Sequence, residues 1–172
     1  MRIFFIGIIA LFNIVCSTKI YSQKLNDYQL FQLQVLKGVN EFGVYVWDIE
    51  GYHKDSTLTP GDIEKFITKA LKAVKIKTVS FSEARKLDGQ PTLEAQIKVD
   101  QKKNEDSYAY SVNLRFVQDI RLERNKQPQY GGIVWERDEL AHADLTHLNL
   151  EIKIALNSLL DDFIKDYQIV NK

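Results

Sequence analysis

The chain has 172 residues, of which 45% are hydrophobic and 27% are charged, and its 23 basic and 23 acidic residues give a formal net charge of zero. This composition fits one globular domain with a substantial core, and a balanced charge gives no general attraction to nucleic acid or to anionic lipid. A single cysteine, Cys16, excludes a disulfide within the chain.

The N-terminal segment predicts a secretory signal peptide. Arg2 precedes an apolar run over residues 3–15, which is too short to span a bilayer, and Ser22 offers a small-residue cleavage site. We therefore expect residues 1–22 to be a signal peptide and residues 23–172 to form a single α+β domain of an exported, periplasmic or extracellular protein. An uncleaved N-terminal anchor is the alternative.

Cys16 lies in the segment that we expect to be removed, so the mature protein would have no thiol. Lipidation of Cys16 would tether the protein to a membrane, but residues 13–15 lack the small residue that normally precedes such a cysteine. We expect neither a lipid anchor nor a transmembrane segment in the mature chain. Removing Arg2 and Lys19 leaves 21 basic and 23 acidic residues, a formal charge of −2.

The first part of the mature chain is ambiguous and is followed by a clear strand pattern. Residues 23–42 alternate in polarity around Phe31 but also fit helical spacing around Gln32, so both types of structure stay open. Residues 44–49 are β-branched and aromatic and end before Gly51. They predict a strand that is covered on both faces.

Residues 60–75 predict an amphipathic helix. Thr59 has the N-cap side chain, Pro60 suits the first helical position, and Asp62 can return a hydrogen bond to the cap. The apolar stripe consists of Ile63, Phe66, Ile67, Ala70, Leu71 and Val74.

A second strand and a short helix follow. Residues 76–81, with Val79 and Phe81 on one side, predict a strand that is parallel to the first in a βαβ unit. Residues 82–87 predict one or two helical turns that end before Gly89.

Two strongly alternating segments dominate the second half of the chain. Residues 92–100 and 107–124 each place apolar side chains on one face and polar side chains on the other. Because residues 107–124 exceed a usual strand length, we expect one bent strand or two pieces with different partners. A hairpin between the segments places Leu93 opposite Leu114.

On the polar face of this hairpin, which we expect to contact solvent, the same register places Glu94 opposite Asn113 and diagonal to Arg115.

A further pairing is predicted between residues 117–124 and 132–137. It places Trp135 opposite Ile120, and Gly131 in the preceding glycine pair indicates a β-bulge.

Residues 145–170 predict a long amphipathic helix that begins at Asp144 or Thr146 and covers the sheet. Its stripe consists of Leu145, Leu148, Ile152, Leu156, Leu159, Leu160, Phe163 and Tyr167. We therefore expect an α+β fold: a mixed, mostly antiparallel sheet of about five strands, with the two main helices packed on one face.

Catalytic motifs are absent from the sequence. There is no nucleophile elbow, phosphate loop or dinucleotide fingerprint. The histidines are His53, His142 and His147, and the last two have Glu136 and Asp144 nearby. A spacing of five rotates two imidazoles apart on a helix, so we interpret them as exposed residues of a connecting loop and expect no metal, cofactor or catalytic residue.

Four aromatic residues fit either a core or a binding platform. Trp47, Tyr108, Tyr110 and Trp135 lie on apolar faces, where aromatic side chains are ordinary core material. A platform for a small ligand or glycan would instead require a pocket that opens among Tyr45, Trp47 or Trp135.

Several short core-forming motifs lie along the chain: Leu36-Lys37-Gly38, Gly43-Val44-Tyr45-Val46, Leu58-Thr59, Tyr108-Ala109-Tyr110-Ser111-Val112, Gln118-Asp119 and Leu122-Glu123-Arg124. Their order resembles a family of small exported bacterial proteins of uncharacterised function. It is also similar, at the level of element order, to α/β modules of bacterial envelope lipoproteins and to the amino-terminal domain of periplasmic TolB. The resemblance implies a fold and export, not a catalytic role.

From these patterns we expect an exported, non-catalytic envelope or secreted accessory protein whose partner is another envelope or secreted protein. The alternative is a small-ligand or glycan-binding module, and a hydrolase or metalloenzyme is less favoured.

Overall fold

The structure is a computed structural model. The expected signal peptide with Cys16 and the segment that holds His53 lie outside the residues that it describes, which are 26–51, 58–101, 107–124 and 126–171. The elements are α1 (Asp27–Leu36), β1 (Glu41–Val46), α2 (Pro60–Ala73), β2 (Lys77–Val79), α3 (Phe81–Ala84), β3 (Thr92–Gln101), β4 (Ser107–Arg121), β5 (Pro128–Asp144) and α4 (Leu145–Val170).

The strands form one five-stranded mixed sheet in the order β2-β1-β3-β4-β5. Strand β1 is parallel to β2 and to β3, whereas β3, β4 and β5 are antiparallel neighbours. The predicted α+β class is confirmed, and so is the parallel pair on either side of α2. No helix in the described ranges has the length and apolar character needed to cross a membrane.

One face of the sheet carries the core. The even-numbered residues of β4 from Tyr108 to Phe116 are buried there with most of the apolar stripes of α2 and α4. Val74 and Leu145, which were predicted at the ends of these stripes, are exposed. Phe163 of α4 contacts Phe116, Phe42 and Trp135 at ring-centroid distances of 5.8, 5.7 and 5.1 Å. Both predicted helices therefore pack on the same face, and the ambiguous N-terminal segment adds a third helix, α1, against α4 and β5.

Strand β1 is covered on both sides, as predicted, but it spans Glu41–Val46 and not residues 44–49, and Trp47 and Asp48 beyond its end are exposed. Phe42 and Val44 point into the core, while Gly43 faces α3. A Cβ atom at Gly43 would lie 2.7 Å from Cβ of Ala84, so a larger residue would push α3 off the sheet. Phe81 begins α3 instead of ending β2, because Ser80 forms a capping box that starts the helix there.

The predicted register of the hairpin is wrong by two residues. Leu93 lies opposite Phe116, and Glu94 lies directly opposite Arg115. A shift of two keeps every side chain on its predicted face, so the amphipathic pattern cannot distinguish the two registers. Strand β4 also does not split between partners, because it lies between β3 and β5 and pairs with both.

Strand β5 is much longer than predicted. Trp135 lies opposite Phe116, not opposite Ile120, and the stretch through His142 that we expected to be a loop continues the strand to Asp144. The predicted bulge is confirmed at Gly131, where φ is +68° and the register shifts.

The predicted N-cap of α2 is confirmed, and of the two residues considered for the start of α4 the structure has Asp144 as the N-cap. Thr59 and Asp62 form a reciprocal capping box at α2, and the Asp144 side chain accepts a hydrogen bond from the His147 backbone N–H at 2.9 Å. The His147 ring also lies 2.9 Å from both carboxylate oxygens of Asp144. This hydrogen bond holds the pKa of Asp144 below its ordinary 3.8 and the pKa of His147 above its ordinary 6.5.

Replacing Phe163 by alanine should lower the free energy of unfolding by about 3–5 kcal/mol, because it leaves a cavity between α4 and the sheet. Urea denaturation followed by circular dichroism measures the loss. The matched control is Leu140→Ala, since Leu140 is 72% exposed and its loss should change stability by less than about 0.5 kcal/mol. Equal effects of the two changes would contradict this packing.

The Asp144–His147 pair should stabilise the fold within a defined pH window. Its contribution needs a charged carboxylate and a charged imidazole, so it is lost as the pH falls through the lowered pKa of Asp144 or rises through the raised pKa of His147. Replacing Asp144 by asparagine, which still caps the helix, should lower the pKa of His147 in an NMR titration. An unchanged His147 titration would contradict the pairing.

Candidate functional site

The face of the sheet opposite the core is left open by the described helices over β3, β4 and β5. We call this surface the open face. Each of its residues is exposed or half-buried, whereas the residues that alternate with them on β3 and β4 are buried. Its members are Glu94, Gln96, Lys98 and Asp100 of β3, Ala109, Ser111, Asn113 and Arg115 of β4, and Glu136, Asp138, Leu140 and His142 of β5.

A row of three aromatic rings borders the open face, and we call it the aromatic row. Tyr45 lies at its centre, with its ring centroid 4.7 Å from that of Phe81 and 5.2 Å from that of Trp47. A guanidinium group lies near each end of the row. The Cζ atom of Arg85 is 5.9 Å from the ring centroid of Phe81, and that of Arg115 is 5.8 Å from the ring centroid of Trp47. Such distances permit cation–π attraction.

Local structure explains how the aromatic row is assembled. Tyr45 and Trp47 are two residues apart at the end of β1, so they project to the same side of the sheet. The Ser80 cap fixes the start of α3 and with it Phe81, and the small residue Gly43 lets this helix approach β1 closely. The row therefore depends on two backbone features, a helix cap and a glycine.

Glu94 anchors the exposed end of the row. Its Oε2 atom accepts hydrogen bonds from the Trp47 indole N–H at 3.0 Å and from Arg115 Nε at 3.0 Å, and it forms an ion pair with Arg115 Nη2 at 2.9 Å. The indole is thereby held in one orientation while 41% of Trp47 remains exposed. This is a preorganised aromatic contact surface.

Two further carboxylates of this side of the sheet, Glu50 and Glu136, are also engaged in structural contacts. Glu50 accepts a hydrogen bond from Gln96 at 3.2 Å and forms an ion pair with Lys98 at 3.0 Å, while Glu136 accepts a hydrogen bond from Asn113 at 2.7 Å. These pairs fix the positions of polar groups on the surface. They do not assemble a nucleophile with a base and an orienting acid.

Two of the depressions on this side of the molecule adjoin the aromatic row or Leu140. A volume of about 100 Å³ adjoins the aromatic row between Phe81, Arg85 and Tyr130, and one of about 470 Å³ adjoins Leu140 and Lys98. Ligand sites are usually concave and mostly apolar, with volumes of about 300–1,000 Å³. The first depression is smaller than that, and the second has charged residues along one side, so the open face fits a broad contact better than an enclosed small ligand.

The aromatic residues considered in the sequence divide into two groups. Tyr108, Tyr110 and Trp135 are buried, which confirms the core interpretation for them. Trp47 instead stays partly exposed beside Tyr45, and neither depression is lined by these two residues. The pocket that a glycan platform would require is thus not one of these two depressions.

The histidines do not come together. His142 is exposed on β5 opposite Ala109, and His147 is exposed in the first turn of α4, where it binds Asp144. Their predicted exposure is confirmed, but His142 lies on a strand and not in a loop. Within the part of the chain that the structure describes, no group of three or more potential ligands is placed to hold a metal ion.

Sequence reasoning missed most of the aromatic row. Phe81 was assigned to a strand, and Arg85 to a helical turn without a role. One signal in the sequence pointed toward the row: Glu94 and Arg115 have opposite charges and lie on the polar face of neighbouring strands. In the observed register, which differs from the predicted one by two residues, they are directly opposite each other.

Comparison with known proteins adds little to this description. No protein-family model matches the sequence, and no curated protein matches it. A PelC dodecamer from Paraburkholderia phytofirmans has a chain that is 14% identical, with 61% of this chain and 72% of that chain covered at a TM-score of 0.38. A likeness at that level carries no argument about fold or function, and the family resemblance stated above stays a prediction.

Proposed function

We propose that this protein is an exported, non-catalytic accessory protein of the bacterial envelope or the secreted space, and that it binds another protein through the open face and the aromatic row that borders it. The observation that carries the proposal is Trp47: a large aromatic side chain that is 41% exposed yet held in place by Glu94 and Arg115.

The chemistry of the aromatic row supports protein binding. Tryptophan, tyrosine and arginine are the residue types most enriched among the side chains that dominate interface energies. Trp47 and Arg115 are already ordered by Glu94, so little side-chain entropy would be lost when a partner covers them. The exposed Leu140, farther along the same face, extends the apolar part of the contact.

Charge pairing on the open face supports specificity. The Glu94–Arg115 pair is mostly shielded from solvent, with 13% and 22% of the two side chains exposed. Because Glu94 and Arg115 are hydrogen-bonded to each other, their positions are fixed. A partner would therefore have to match a fixed pattern of donors and acceptors beside the aromatic row.

A glycan-binding module is the second candidate. The exposed ring of Trp47 favours it, because sugars stack on aromatic faces that have hydrogen-bonding groups beside them. The following experiment distinguishes the two.

A photo-crosslinking amino acid at position 140 should form an adduct with another exported protein in living cells. The full chain is expressed with the crosslinker in place of Leu140, and in a control strain with the crosslinker in place of Lys69 on the exposed side of α2. We expect an adduct at position 140 only. Adding Trp47→Ala should lower its yield about tenfold or more, because loss of a central aromatic contact costs about 2 kcal/mol.

Equal adducts from positions 140 and 69, or an adduct that Trp47→Ala leaves unchanged, would contradict binding through the open face. No protein adduct, together with oligosaccharides that shift the Trp47 indole NMR signal, would favour the glycan-binding module. The mature N-terminus is sequenced from the same cells, and a start at Gln23 is expected for an exported protein with a cleaved signal peptide.

A further inference from the structure

We infer that residues 138–144 of β5 accept an extended, positively charged segment of a partner protein as an added strand of the sheet. Strand β5 is the last strand in the sheet order and pairs along one side with β4. The backbone groups on the other side of an edge strand are available to an incoming strand, which is a common mode of peptide recognition.

The regular part of the edge lies in the second half of β5. Proteins commonly protect an edge with proline, glycine and bulges, and such features occur at Pro128, at Gly131 and between Ile133 and Trp135, where the register shifts. From Trp135 to Asp144 the register with β4 is unbroken. A second strand could therefore pair with this half without interruption.

Contacts on the helical side narrow the free segment further. Arg137 donates to Gln32 of α1 at 2.6 Å and to Asp166 of α4 at 3.3 Å, so its side chain is tied to the helices. Beyond it, Asp138, Leu140 and His142 are exposed. Residues 138–144 thus form the accessible edge.

The negative charge of this edge favours a positively charged segment as the added strand. Residues 138–144 contain three acidic residues and no lysine or arginine. Asp144 is paired with His147, which leaves Asp138 and Glu139 as the acidic residues of the edge. No cationic group of the described ranges forms an ion pair with Asp138 or Glu139. A second copy of the chain would bring two such acidic edges together, whereas a basic strand would be attracted.

The alternation of side chains defines the partner more closely. Asp138 and Leu140 lie on the open face, and Glu139 points to the helical side, where its charge is felt by Tyr110. Directly opposite residues of paired strands share a face, so the complementary segment has two adjacent cations followed or preceded by an apolar residue. Because Leu140 belongs to both, this site is continuous with the open face. The inference rests on the proposed function, since it specifies the class of protein segment that would be bound.

The test uses the purified full chain and the synthetic peptide TVTVKKVTVT, whose central pattern fits either strand direction. We expect slower amide hydrogen exchange within residues 138–144 when the peptide is present, and a measurable dissociation constant from NMR titration. Asp138→Lys should weaken binding about fivefold. The matched control Glu64→Lys, which makes the same charge change on the exposed side of α2, should leave binding within about twofold.

A second peptide, TPTVKKPTPT, carries the same charge but cannot form a continuous ladder. It should not protect the edge, and equal binding of both peptides would overturn strand addition in favour of charge attraction alone. Absence of protection by TVTVKKVTVT would also overturn the inference. Protection of β5 by TVTVKKVTVT without crosslinking at position 140 would count against the proposed function only.

Discussion

The packing of Phe163 against Phe42, Phe116 and Trp135 is the contact on which the rest of the structure depends. It joins the long C-terminal helix to three strands of the sheet with ring centroids 5.1–5.8 Å apart. Because all of this packing lies on one face, it leaves the opposite face of β3, β4 and β5 without a described covering element. The open face is thus a direct consequence of where the apolar side chains of the strands point.

A polar layer extends this packing to the edge of the sheet. The Trp135 indole N–H donates to Asp166 at 3.0 Å, and Arg137 connects the same carboxylate to Gln32 of α1. Hydrogen bonds that join three elements in a partly buried setting restrict their relative movement. They hold β5 in place up to Arg137, and beyond that residue the edge is exposed. The same network therefore separates the structural part of β5 from the part that we infer to bind.

The sequence predicted the faces of the sheet better than its pairings. Alternation in residues 92–100 and 107–124 identified which side chains enter the core. Thr59 marked the start of α2, and the start of α4 was narrowed to Asp144 or Thr146, because these features depend on local chemistry. The hairpin register was wrong by two, a shift that alternation cannot detect. The end of β5 was missed because its helix-facing residues include Arg137, Glu139 and two alanines instead of large apolar residues. The site was missed at Trp47 because an aromatic residue beside an apolar strand indicates a core as readily as a surface.

Solvent accessibility in the free protein tests the central claim, an uncovered and preorganised open face, most directly. A soluble gadolinium chelate added to isotope-labelled full-length protein broadens the NMR signals of exposed groups. The account predicts strong broadening of the Leu140 methyl groups and the Trp47 indole signals, and little broadening of Val112 and Leu114, which are fully buried. Protection of Leu140 and Trp47 in the monomeric protein would mean that part of the chain covers this face, and it would contradict the account.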